Sequence, residues 1–125
     1  MIFKLFGWTL GVAMIVLGVA RILFAMATVP GGGPVNPTID SEYRESGVLL
    51  IALGFAYVWA VRQPAPPFAL LRFLGITMAL LGAARVISIV VAGWPHWIFV
   101  ADTAAEFAIA VLTYWYSTTP DQQQD

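Results

Sequence analysis

Apolar residues gather along the chain in four runs, Leu5 to Val29, Gly47 to Val61, Phe68 to Ala92 and Trp97 to Tyr116, divided by segments rich in proline, glycine and charge. A spanning helix needs about 20 mostly apolar residues. The second run holds only 15 residues, roughly 22 Å of helix at about 1.5 Å per residue, so its helix must begin earlier. Starting at Ser41, with Asp40 as N-cap, gives spanning length and sets Glu42 and Glu45 in the first turns, where the positive helix end favours acids. The predicted spans are 5–29, 41–62, 68–92 and 97–117. Pro30 to Pro34 and Asn36-Pro37 break helices and supply one extended loop, 30–40. Gln63 to Pro67 and Gly93 to His96 are short turns, and the glutamine-rich tail 118–125 is expected to be disordered.

Within the first and third runs one phrase recurs. Leu10-Gly11-Val-Ala-Met14-Ile-Val-Leu17-Gly18-Val-Ala20-Arg21 matches Leu74-Gly75-Ile-Thr-Met78-Ala-Leu-Leu81-Gly82-Ala-Ala84-Arg85 at 7 of 12 positions, at a constant offset (85 − 21 = 64). The spacing predicts a duplicated hairpin. Two helices return the chain to its starting side, so the copies are parallel-related about a pseudo-two-fold axis along the membrane normal. The expected fold is an all-α, integral membrane four-helix bundle built from two such hairpins. Glycines seven residues apart form one smooth stripe on a helix, and small residues on a stripe let helices approach closely in lipid. Gly11, Gly18, Gly75 and Gly82 are therefore expected to join the first helix to the third. The first run also has features of a secretory signal, Lys4 before it and Ala25-Met-Ala27 as a small-residue cut site. Its length, Arg21 and the mid-chain recurrence favour a retained span.

Arginines inside apolar runs demand partners, because a charge at the bilayer centre costs about 2.5–3.5 kcal/mol even on the lenient insertion scale. Arg85 precedes the Gly93 turn by 8 residues and Glu106 follows Trp97 by 9, so both lie roughly 12–14 Å from the same face and should neutralise each other. Asp102 sits one turn from Glu106. In the first half Glu42 follows Arg21 by 21 residues, the same separation as Arg85 and Glu106, and Arg21 is expected to reach towards Glu42 and Glu45. With Asp40 and Arg44 these residues are expected to form an outward-opening polar cluster of Arg21, Asp40, Glu42, Arg44, Glu45, Arg85, Asp102 and Glu106. Its readings are an ion-pair network fixing helix register, a ligand, ion or proton site, and a docking point for another subunit.

Composition narrows the class. The 125 residues are 60% hydrophobic and 10% charged, with mean hydropathy +0.83, against about 25% charged in an average soluble domain. A net charge of −1 offers no basic face for nucleic acid. Lys4, Arg62 and Arg72 fall on one side of the spans and Arg44 alone on the other, so both termini are expected in the cytoplasm of a multi-pass cytoplasmic (inner) membrane protein. Trp8, Tyr57, Trp59, Tyr114, Trp115 and Tyr116 would form the inner aromatic belt and Trp94 and Trp97 the outer one.

Chemistry-bearing motifs are sparse. Without cysteine there are no disulfides, thiolates or CxxC sites, and His96 alone makes no multi-histidine metal site. Asp40, Glu42 and Glu45 lack the EF-hand pattern. Gly31 to Gly33 follows no strand and precedes no GK[ST], so it is a turn rather than a phosphate cradle. Neither GxSxG nor HExxH occurs. No cofactor, metal or catalytic residue is predicted. Met14 and Met78 are assigned to helix packing.

The run Asp40-Ser41-Glu42-Tyr43-Arg44 with Gly47, then Gly82-Ala-Ala-Arg85, Gly93-Trp-Pro95 and Glu106, resembles a family of small bacterial four-span membrane proteins classed as a domain of unknown function, akin to the DoxX/DoxD-like group. The resemblance implies a four-helix bundle in the cytoplasmic membrane and importance for Glu42, Arg44, Arg85 and Glu106, with no assigned reaction. Relatives in the DoxX-like group are linked to sulfur oxidation or redox complexes, which a chain without cysteine does not support. The leading expectation is a non-enzymatic accessory subunit stabilising or regulating a larger envelope complex such as a transporter. Its partners would be the lipid bilayer and other membrane subunits on its lipid-facing helices. The alternative is binding or transport of a small lipophilic or anionic ligand in the arginine cluster. A third is a membrane enzyme using Glu106 as base.

Overall fold

The computed structural model describes residues 2–25, 29, 33 and 37–118, and all regular structure among them is helical. Four helices follow in order: α1 (Ile2–Leu23), α2 (Pro37–Arg62), α3 (Phe68–Ala92) and α4 (Trp97–Thr118). Each is long and apolar enough to cross a membrane, and the chain is a multi-pass membrane protein. The chain divides into two compact units, residues 1–63 and 64–125, each built on an antiparallel hairpin, α1–α2 and α3–α4. Met26 and Ala27 of the expected cut site, most of the Pro30 to Asn36 loop and the tail beyond Thr118 lie outside the described residues.

Helix limits differ from the sequence expectation chiefly around the α1–α2 connection, and α1 also begins at Ile2 rather than Leu5. α1 ends at Leu23, where the Phe24 amide donates to the Ala20 carbonyl at 2.8 Å, rather than at Val29. α2 begins at Pro37 instead of Ser41. Proline suits a first helical turn, having a fixed φ and no amide to leave unpaired. Asp40 is consequently a residue of the first turn and not the N-cap. At the other short turn His96 precedes α4 as a cap, its Nδ1 accepting from the Ile98 amide at 3.3 Å. Gly93 ends α3 at φ +94°, a left-handed value that favours glycine.

The buried residues of α1 are Gly7, Gly11, Met14, Gly18 and Arg21, alternating by four and three. That rhythm is one helix face. The glycine stripes are used inside each hairpin. A Cβ on Gly11 would lie 2.7 Å from the Gly54 carbonyl oxygen, and one on Gly18 would lie 2.5 Å from that of Gly47. In the second hairpin a Cβ on Gly75 would lie 3.1 Å from the Cβ of Tyr114, and one on Gly82 would lie 2.9 Å from the Phe107 ring. The faces expected to join α1 to α3 are therefore filled by α2 and α4, because each stripe looks toward the helix its own turn delivers. Of the expected belt, Trp8, Trp59, Tyr114 and Trp115 are exposed, whereas Tyr57 and Tyr116 are buried and belong to packing.

Candidate functional site

In the second hairpin Arg85 and Glu106 face each other across α3 and α4. The Arg85 Nε donates to both Glu106 oxygens at 2.9 and 3.1 Å, and its Nη2 lies 2.9 Å from Asp102 Oδ2. Phe99, one turn further, places its ring 5.7 Å from the guanidinium carbon. Burial is graded: the Glu106 side chain is 9% exposed, Arg85 29% and Asp102 42%. Two carboxylates on one guanidinium more than offset its charge, and removing the arginine would leave Glu106 a buried, uncompensated ion. Arg85 lies two turns before the end of α3, too deep for the terminal carbonyls to offset it, since that field fades within the last turn.

In the first hairpin Arg21 occupies the last turn of α1 and is buried, yet no carboxylate reaches it among the described residues. Its Nη1 donates to Ser46 Oγ at 3.1 Å, its guanidinium carbon lies 4.6 Å over the Tyr43 ring, and its buried Nε has no hydrogen-bond partner. The expected reach from Arg21 to Glu42 and Glu45 is absent among the described residues, and both acids are exposed. A last-turn position explains the tolerance, because the negative helix end and an aromatic face each favour a cation. Arg44 completes this end. Its Nε donates to Asp40 Oδ2 at 2.8 Å, its Nη2 to Oδ1 at 3.5 Å, and its Nη1 to the Ile22 carbonyl, one of the terminal acceptors a helix leaves open.

Contacts in the two hairpins match residue for residue at a second offset. Tyr43 under Arg21 corresponds to Phe99 beside Arg85, and Ser46 to Asp102 (102 − 46 = 56); Ile51 against Gly18 corresponds to Phe107 against Gly82, and Gly54 against Gly11 to Ala110 against Gly75. The interval is 56 on α2 and α4 but 64 on α1 and α3, because the α1–α2 connection is longer than the four residues 93–96. Leu50, not Glu42, therefore stands where Glu106 stands (106 − 50 = 56). Six of the eight charged residues resolve within their hairpins into the Arg85, Asp102 and Glu106 triad, the Asp40 and Arg44 pair closing α1, and Arg21 with Tyr43 and Ser46, while Glu42 and Glu45 are exposed and join none of these groups. Sequence reasoning missed Tyr43, Ser46 and Phe99; the signal for them is the 56-residue interval, visible only once α2 is aligned by its glycines.

Openings along the second hairpin include a groove and a cleft. An apolar groove of about 460 Å³ runs over Gly75, Ala79 and Ala110 between walls including Phe107, Tyr114 and Trp115. A smaller cleft of about 230 Å³ adjoins Arg85. Among the described residues no group of three or more acids or histidines is placed to hold a metal.

A family model described as Domain of unknown function (DUF4345) matches residues 2–117, and the chain belongs to that family. No curated protein and no solved structure matches.

Proposed function

We propose that this member of the family is a non-enzymatic accessory subunit of a larger membrane complex, a pair of duplicated hairpins that stabilises or regulates a partner such as a transporter. One observation carries the reading: Arg85 binds both Asp102 and Glu106, so this intramembrane arginine acts as an internal latch instead of a receptor for an anion. Latched hairpins present outer faces of Val16, Leu49, Phe55, Leu80, Val90 and Val111, all strongly exposed, to lipid or to neighbouring helices. Lys4, Arg62 and Arg72 set both termini in the cytoplasm of the inner membrane.

Purification in a mild detergent tests the proposal. A stoichiometric co-eluting membrane protein supports it, and a chain that runs alone from its native membrane at native abundance removes it. Orientation has its own test, since the chain has no cysteine. A single cysteine at Gly33 should react with an impermeant maleimide from outside, and one at Gln123 only after permeabilisation.

A further inference from the structure

The cleft beside Arg85 has donors with nothing to receive them. A guanidinium carries five N–H groups. The Nε of Arg85 is taken by Glu106 and Nη2 faces Asp102, but Nη1 has no acceptor among the described residues. Ser88, three residues on and on the same face, likewise has no hydroxyl partner among the described residues, whereas Thr77 and Thr103 turn theirs back to Phe73 and Phe99 carbonyls at 2.8 Å. Both Arg85 and Ser88 line the cleft, with Ile89, Pro95, Phe99 and Thr103. In a bilayer, donors left without acceptors are costly, and a bound acceptor removes that penalty.

We propose that this cleft binds the neutral carbonyl head of a lipophilic molecule. Charge selects the class: with two carboxylates already on Arg85 the group is net negative and repels an anion, while a carbonyl oxygen accepts from Nη1 and Ser88 without adding charge. Size selects the part of the molecule that enters. At about 230 Å³ the cleft is below the roughly 300–1,000 Å³ of sites that enclose a drug-sized ligand, so it takes a head group and leaves the tail outside. The site is independent of any protein partner.

The test uses the full-length chain in dodecyl maltoside, which has no carbonyl, and 2-tridecanone labelled with ¹³C at the ketone. Isotope-edited infrared spectra should show a saturable, down-shifted carbonyl band at one equivalent, not displaced by dodecanoate. Ser88→Ala should weaken binding about tenfold through loss of one hydrogen bond. Ser88→Leu should abolish it by filling the cleft, and both variants should keep the helical circular dichroism of the parent, Ser88 being exposed and outside the ion pairs. Absence of a saturable band in the parent, full binding by Ser88→Leu, or tighter binding of dodecanoate than of the ketone each overturns the proposal.

Discussion

In the α1–α2 hairpin glycines stand on both helices, and each lies over the other's carbonyl: Gly11 with Gly54, and Gly18 with Gly47. In the α3–α4 hairpin they stand on one helix only, and Gly75 and Gly82 meet Tyr114, Ala110 and Phe107. The first pair of helices therefore touches through backbone, where close Cα–H···O contacts add a modest attraction. The second is held apart by side chains, and that extra width accommodates Asp102, Glu106, the apolar groove and the cleft at Arg85. The same arginine phrase meets opposite surroundings. Where helices are tight and the cation is terminal, Ser46 and Tyr43 suffice; where the cation is further from the helix end, Asp102 takes the place of Ser46 and Glu106 that of Leu50, with Phe99 in place of Tyr43.

The strongest way to break this comparison is at Glu106. Glu106→Ala should destabilise the protein by about 1.5–3 kcal/mol, because Arg85 loses both Nε hydrogen bonds and keeps only the more exposed Asp102, read from the thermal midpoint in detergent. The exchange Arg85→Glu with Glu106→Arg should recover most of that loss. Should Glu106→Ala prove no more harmful than Arg21→Gln, the two arginines are not treated differently. Next come the glycines: Gly54→Ala should cost about 1–3 kcal/mol, because its Cβ would meet the Gly11 carbonyl oxygen at 2.5 Å and backbone must move. Gly82→Ala should cost less, since the Phe107 ring it meets can turn.

A finer test gives the first hairpin what it lacks. Ser46→Asp should couple to Arg21 by about 1 kcal/mol in a double-mutant cycle with Arg21→Gln, while the same cycle run at Glu42 should show no coupling. The smallest effect belongs to Asp40→Asn. Its exposed pair with Arg44 should be worth about 0.2–1 kcal/mol, and the difference should shrink as salt is raised in chemical denaturation.

How legible each half was follows from its connection. The four residues 93–96 leave almost no freedom, so counting outward from the turn puts Arg85 level with Glu106. The longer α1–α2 connection carries no such ruler, and equal sequence separation misdirected Arg21 to Glu42. The glycine stripes were readable as packing faces from their seven-residue spacing, but a stripe does not say which helix fills it. Ser46 and Tyr43 went unnoticed because a hydroxyl and a ring bind a cation without the opposite charge that a sequence search follows.

The paired notches of α1 and α2 also restrict how that hairpin could ever move. Gly11 and Gly18 repeat at the interval of Gly47 and Gly54, like two combs with matching teeth. A slide of one helical turn would push bulky neighbours such as Ile15 or Ile51 onto the opposite backbone, and the next permitted stop lies seven residues away, about 10 Å along the axis. The hairpin is thus a vernier with a single usable setting, able to tilt as a rod but not to shear.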